Sequence, residues 1–117
     1  MKVLVVDEAR KRRARIEEAL NAKKHSVTSC SGSGQFMEAV QENSPDRVVL
    51  DIPSWMEGRA IYSYFGFSGR LAEMPVLFYN APEGFTGLSG RKRRDDDYVM
   101  VAPTEPDDVA KVIEEQF

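Results

Sequence analysis

The sequence predicts an α/β fold on a parallel β-sheet, and three observations carry that prediction. Short strand-like runs occur around residues 3–6, 26–30, 47–51, 76–79 and 98–101. Segments of helical periodicity or turn-rich composition separate them, as the crossovers of a parallel sheet require. The first and third runs are apolar to the end and then meet an aspartate, as strands buried on both faces do before they emerge at a rim. With 117 residues the chain is expected to form one domain over 1–117, since most domains run to roughly 100–150 residues.

Val3-Leu4-Val5-Val6 is the first strand and ends at Asp7-Glu8. Ala9 to Ala22 is rich in helix formers, with Ala9, Ile16, Ala19 and Leu20 on roughly one face and Arg13 spaced to pair with Glu17. Ser26 to Cys30 alternates weakly, as an edge strand does. Ser31-Gly32-Ser33-Gly34 turns the chain into a second helix from about Gln35 to Asn43, burying Phe36, Met37 and Val40 and stopped by Ser44-Pro45. Arg47 to Asp51 is the third strand, and Ile52 to Gly58 a loop. Arg59 to Ala72 is helical in part, weakened by Gly66 and Gly69. Val76 to Tyr79 is the fourth strand, ending at Asn80. Ala81 to Asp97 breaks the pattern with Pro82, Gly84, Gly87 and Gly90, and an Arg91–Arg94 run compensated by Asp95–Asp97. Tyr98 to Val101 is the fifth strand, and Asp107 to Gln116 a last helix with Thr104 and Asp107 at capping-box spacing.

Composition excludes several classes. Hydrophobic residues at 42% and charged residues at 30% suit a folded chain rather than a disordered one. No apolar run approaches the roughly 20 residues that span a bilayer, and Asp7 ends the first apolar run too early for a secretory signal. A cytoplasmic location without membrane association is the expectation. The single Cys30 cannot form an internal disulfide. A net charge of -3 disfavours nucleic acid as the main partner. His25 has no second histidine or cysteine pair for metal ligation, and Arg10 to Arg15 reads as a solvated helix face.

In open parallel sheets the site lies at the carboxyl ends of the strands, which here carry Asp7, Glu8, Asp51 and Asn80. Three carboxylates at one rim repel one another unless a cation offsets them. A hard divalent ion held by one or two carboxylates and a backbone carbonyl is the simplest remedy. A carboxylate beside such an ion can attack phosphorus, and Asp51 is the candidate nucleophile.

Nearly the whole chain resembles the receiver domain of two-component response regulators. Lys2 to Glu8 looks like that family's first strand and acidic pair, and Ser44 to Asp51 like the approach to its phosphoacceptor. Met56-Glu57-Gly58 resembles its Met-Asp-Gly turn, Met74-Pro75-Val76 the entry to its fourth strand, and Asp96 to Val99 the entry to its fifth. The resemblance implies a flavodoxin-like (CheY-like) doubly wound sheet in the order 2-1-3-4-5. It also implies that Asp51 accepts a phosphoryl group from a histidine kinase, with Asp7, Glu8, Asp51 and the Pro53 carbonyl holding Mg²⁺ weakly.

Three departures from the family separate the functional alternatives. Where the family has a lysine before a proline, this chain has Ala102-Pro103, or Val101 if the alignment shifts by one, and no arginine near that point restores the charge. Asn80-Ala81 replaces the hydroxyl residue and alanine that end the fourth strand. The loop after Asp51 is one residue short, with Pro53 early in it. The leading reading is a degenerate, pseudo-receiver-like domain that signals by binding a protein partner, such as a kinase or an output domain, and is not an enzyme. The runner-up is a phosphorylatable receiver, and a third reading is a flavodoxin-like module binding a nucleotide or anion.

Overall fold

Side chains along a strand alternate between two faces, and a run apolar at every position therefore needs cover on both. The computed structural model of the chain describes residues 1–57, 74–85 and 96–116, and it supplies that cover. Strands β1 (Lys2–Val6), β2 (Ser26–Cys30), β3 (Arg47–Asp51), β4 (Val76–Ala81) and β5 (Tyr98–Val101) form one sheet in the order β2-β1-β3-β4-β5. Every pairing is parallel. The class and strand order expected from the sequence are both present.

Leu4, Val6, Val48, Leu50, Val76 and Phe78 project to one face, where Phe36 and Val40 of α2 (Ser33–Asn43) and Ile52 of α3 (Ile52–Glu57) cover them. Val3, Val5, Val49, Leu77 and Tyr79 project to the other, beneath Ile16 and Leu20 of α1 (Arg10–Ala22) and Val109, Ala110 and Ile113 of α4 (Pro106–Gln116). The alternation holds through all three central strands, so a shift of one residue in any of them would exchange its two faces. β2 and β5 lie at the edges and are the less buried strands.

Several boundaries differ from the sequence reading. Ile52 to Glu57 is a short helix rather than a loop. Asp51 caps it: its Oδ2 accepts the backbone N–H of Ser54 at 3.0 Å, the bond an N-cap makes to the third helical residue. Pro53 fits because first-turn N–H groups have no intrahelical partner to lose. α2 begins at Ser33 and β4 runs on to Ala81. α4 begins at Pro106, with Glu105 accepting its first backbone bonds from Asp108 and Val109. Thr104 is therefore not the cap.

The helix expected over 59–72 falls outside the described residues, as does most of the irregular stretch after Ala81. Its described beginning turns at Glu83-Gly84, and Phe85 packs edge-on against Phe78 at a centroid distance of 5.6 Å. At its end Asp97 is buried and accepts the Val76 backbone N–H at 2.9 Å, pinning the entry of β4 to that of β5. The fully buried Ile113 and the exposed Lys111 test the packing of α4. We expect Ile113→Ala to cost about 2–5 kcal/mol by urea denaturation, and Lys111→Ala to stay within about 0.5 kcal/mol of the parent.

Candidate functional site

β1 and β3 are neighbours paired as far as Val6 with Leu50, so the residues that follow, Asp7 and Asp51, emerge side by side. Both carboxylates are 0% exposed. Burying two like charges is costly unless each is paired and hydrogen-bonded, and donors from five residues meet that demand.

Asp7 Oδ1 accepts the Ala9 backbone N–H at 2.8 Å and an Arg12 Nη2 hydrogen at 2.9 Å. Its Oδ2 accepts Arg12 Nε at 2.6 Å and the Tyr79 hydroxyl at 2.7 Å. Asp51 Oδ1 accepts the same Arg12 Nη2 at 3.2 Å and Asn80 Nδ2 at 2.9 Å. Its Oδ2 accepts the Ser54 N–H at 3.0 Å and the Ser54 hydroxyl at 2.6 Å. A carboxylate offers about four lone-pair directions, so two carboxylates receiving these eight contacts are saturated.

Arg12 is the one cation that reaches the two carboxylates among the described contacts, and it bridges them. Its guanidinium is held more firmly protonated than usual, first by the hydrogen bond to Asp7 and against the opposing effect of burial. Arg13 adds a bond from Nη1 to the Asp7 carbonyl at 2.7 Å, in place of the expected pairing with Glu17. Burial, and then the nearby Asp7 charge, push the Tyr79 phenol well above its ordinary range, keeping it a donor.

Asn80, next to last in β4, has φ +54°, a left-handed conformation that asparagine tolerates better than most residues. A register shift between Phe78 and Ala81 accompanies it. With its amide turned to Asp51, Asn80 also exchanges two bonds with Thr104: its N–H donates to Thr104 Oγ1 at 3.2 Å, and its Oδ1 accepts the Thr104 N–H at 3.1 Å. This pair occupies the threonine read from sequence as a helix cap.

No protein-family model matches the sequence. No curated protein matches it either. Solved structures do. The chemotaxis response regulator CheY4 of Vibrio cholerae superposes with a TM-score of 0.73 at 16% identity, over 99% of this chain and 98% of that one. The fold is that of a response-regulator receiver domain. A signal receiver domain from Bermanella marisrubri gives a TM-score of 0.70 at 18% identity, over 98% of this chain and 96% of that one. For the response regulator PhyR from Brucella abortus the values are 0.71 and 18%, over 98% of this chain but only 46% of that longer one.

Within the receiver fold, the residues singled out from sequence divide into two groups. Asp7, Asp51 and Asn80 converge in one cluster. Glu8 is exposed, and its backbone N–H donates to Ser54 Oγ at 2.8 Å. Pro53 is exposed in the first turn of α3. Ala102 and Val101 are exposed, and the Ala102 N–H continues the β4–β5 pairing by donating to Ala81 O at 3.0 Å. Neither supplies a cation.

The compensating charge comes instead from α1, on a residue read as part of a solvated face. Three cluster members were missed: Arg12, Tyr79 and Ser54. For Ser54 the signal was present, since Asp51 three residues before a serine is an N-cap spacing. The divalent-ion donor set implied by the resemblance was Asp7, Glu8, Asp51 and the Pro53 carbonyl. Two of its members have every acceptor direction engaged by the protein's own donors, and among the described residues no group of three His, Cys, Asp or Glu is placed to hold a metal. The set as arranged does not fit a divalent ion.

Elsewhere, His25 joins the amino group of Met1 at 3.2 Å and the carboxylate of Glu114. Burial pushes the Cys30 thiol up to about 11, leaving it an unreactive packing residue at neutral pH. Among the described residues no helix is long and apolar enough to cross a membrane.

Two outcomes follow from this geometry. Asn80→Thr puts a β-branched residue at positive φ, a strain of about 1–3 kcal/mol. It should lower the denaturation midpoint more than Asn80→Gly, which loses the side-chain bonds but keeps the backbone at ease; equal losses would show that conformation is not the constraint. Tyr79 is raised in the folded state, so its contribution is complete below the ordinary phenol value of about 10 and declines above it, where the unfolded chain releases a proton that the folded chain retains. Tyr79→Phe should therefore be less stable than the parent at neutral pH and show a shallower loss of stability above about pH 10, measured by urea melts across the alkaline range.

Proposed function

We propose that the chain is an atypical, pseudo-receiver-like domain that acts in signal transduction through protein-protein contact, without phosphorylation at Asp51 as its switch. The observation that carries this reading is the saturation of Asp51: Arg12, Asn80 and two donors of Ser54 occupy its oxygens. Nucleophilic attack on phosphorus needs a free lone pair aimed at the donor. Here both oxygens are committed and the side chain is buried.

Charge supports the same reading. A phosphoryl group brings roughly two negative charges to a pair of acids whose one bridging cation is already engaged by both, and Val101 and Ala102 offer no ammonium to meet them. At the end of β4, Asn80 is tied to Thr104 on both sides, which leaves no mobile hydroxyl to follow an incoming group. The domain then catalyses nothing on an external substrate. Its partner is a signalling protein, such as a histidine kinase or an output domain, engaged in the cytoplasm without membrane or nucleic-acid contact by this domain.

Intact mass after incubation with acetyl phosphate and Mg²⁺ tests this. No phosphoryl increment is expected on the parent chain, and no displacement of amide signals in β4 or β5 on adding beryllofluoride with Mg²⁺. Stoichiometric phosphorylation, with those strands shifting in response, would replace this reading with that of a phosphorylatable receiver.

A further inference from the structure

The carboxylate pair already contains a cation, and its position is not one that local helix physics would choose. Arg12 is the third residue of α1, a helix whose first four residues are Arg10, Lys11, Arg12 and Arg13, with no acid in the first turn and no side-chain cap. Cations are disfavoured at that end of a helix by the macrodipole. Arg12 nevertheless sends one planar fork to both oxygens of Asp7, at 2.6 and 2.9 Å, and reaches Asp51 at 3.2 Å. The Asp7 carbonyl, a further oxygen at this rim, is taken by Arg13.

We propose that Arg12 is the resident cation of this site, an internal replacement for a divalent metal ion, so that the domain neither binds nor needs Mg²⁺ while Arg12 is in place. This deepens the reading of a phosphorylation-independent receiver and rests on the same cluster, but it concerns the metal rather than the phosphoryl group. Two buried carboxylates are hard oxygen donors of the kind that Mg²⁺ and Mn²⁺ take, and one or two suffice alongside waters. What excludes those ions is the guanidinium that fills the space between them. Removing it frees an acceptor direction on each oxygen of Asp7 and on Asp51 Oδ1 for a cation.

The test uses Mn²⁺ as a paramagnetic probe and Mg²⁺ as a stabilising ligand on the full chain. For the parent, millimolar Mn²⁺ should leave the amide signals of Asp7, Glu8 and Asp51 unbroadened, and melting should be the same in Mg²⁺ and in a chelator. For Arg12→Ala, Mn²⁺ should broaden those signals selectively and Mg²⁺ should raise the melting temperature by several degrees; Arg12→Ala combined with Asp51→Asn should lose both responses. If Arg12→Ala is unfolded without metal, recovery of its native circular dichroism on adding Mg²⁺ is the same result read as a folding equilibrium. Selective broadening of the parent, or an Arg12→Ala protein indifferent to both ions, overturns the proposal. A parent that takes up phosphoryl groups yet ignores Mn²⁺ would sink the functional reading and spare this one, and a parent that binds Mn²⁺ but takes up no phosphoryl group would do the reverse.

Discussion

Two carboxylates with no solvent contact, a hydrogen bond apart from the same guanidinium, are the constraint around which this molecule is organised. Asp7 and Asp51 are brought together by the pairing of β1 with β3, and leaving either charge unpartnered would cost about 3–5 kcal/mol, a large share of a typical domain's stability. The contacts that prevent this come from α1, the start of α3 and the end of β4. Each therefore has its position fixed by the acids. The β4 end passes the constraint on, through Asn80 and Thr104, to the approach of α4.

How much of this was legible in the sequence depended on whether a residue's role was set by its own element or by another. The strands were legible because β1, β3 and β4 are apolar at successive positions, and only a sheet covered on both faces asks for that. Asp7, Asp51 and Asn80 were legible for the same reason, as the first polar residues past buried runs. Tyr79 was not, since at the end of Val76-Leu77-Phe78 it reads as one more packing residue; its hydroxyl matters only because the fold buries it beside Asp7. Arg12 was hidden by its neighbours. Six positions with five cations fit a solvated face, and the rule that disfavours cations at a helix start pointed away from a specific role. The α3 helix was masked by Pro53, although an aspartate three residues before a serine marks its start.

Similarity to solved receivers adds the fold and stops there, because identities of 16–18% leave the site residues free to differ. They do differ here, and in a correlated way. The chain lacks a lysine near Pro103, it has an amide where the family has a hydroxyl, and its compensating charge is carried by α1. Seen one at a time these are losses. Together they describe a pocket whose charges and hydrogen bonds are completed by the polypeptide itself.

The basic start of α1 also bears on the order in which the chain assembles. In isolation that first turn is a poor helix start, with four cations at the positive end of the dipole and an alanine, Ala9, at the N-cap. Its stabilising partners are Asp7 and, across 39 positions, Asp51. Three of the side-chain bonds from Arg12 and Arg13 reach Asp7, at the end of β1 and five or six positions back, and only the bond from Arg12 to Asp51 waits until β1 and β3 have met. The cations that make a poor helix start thus tie the first turn of α1 to the end of β1 as a local unit, and the bond to Asp51 closes that unit onto β3.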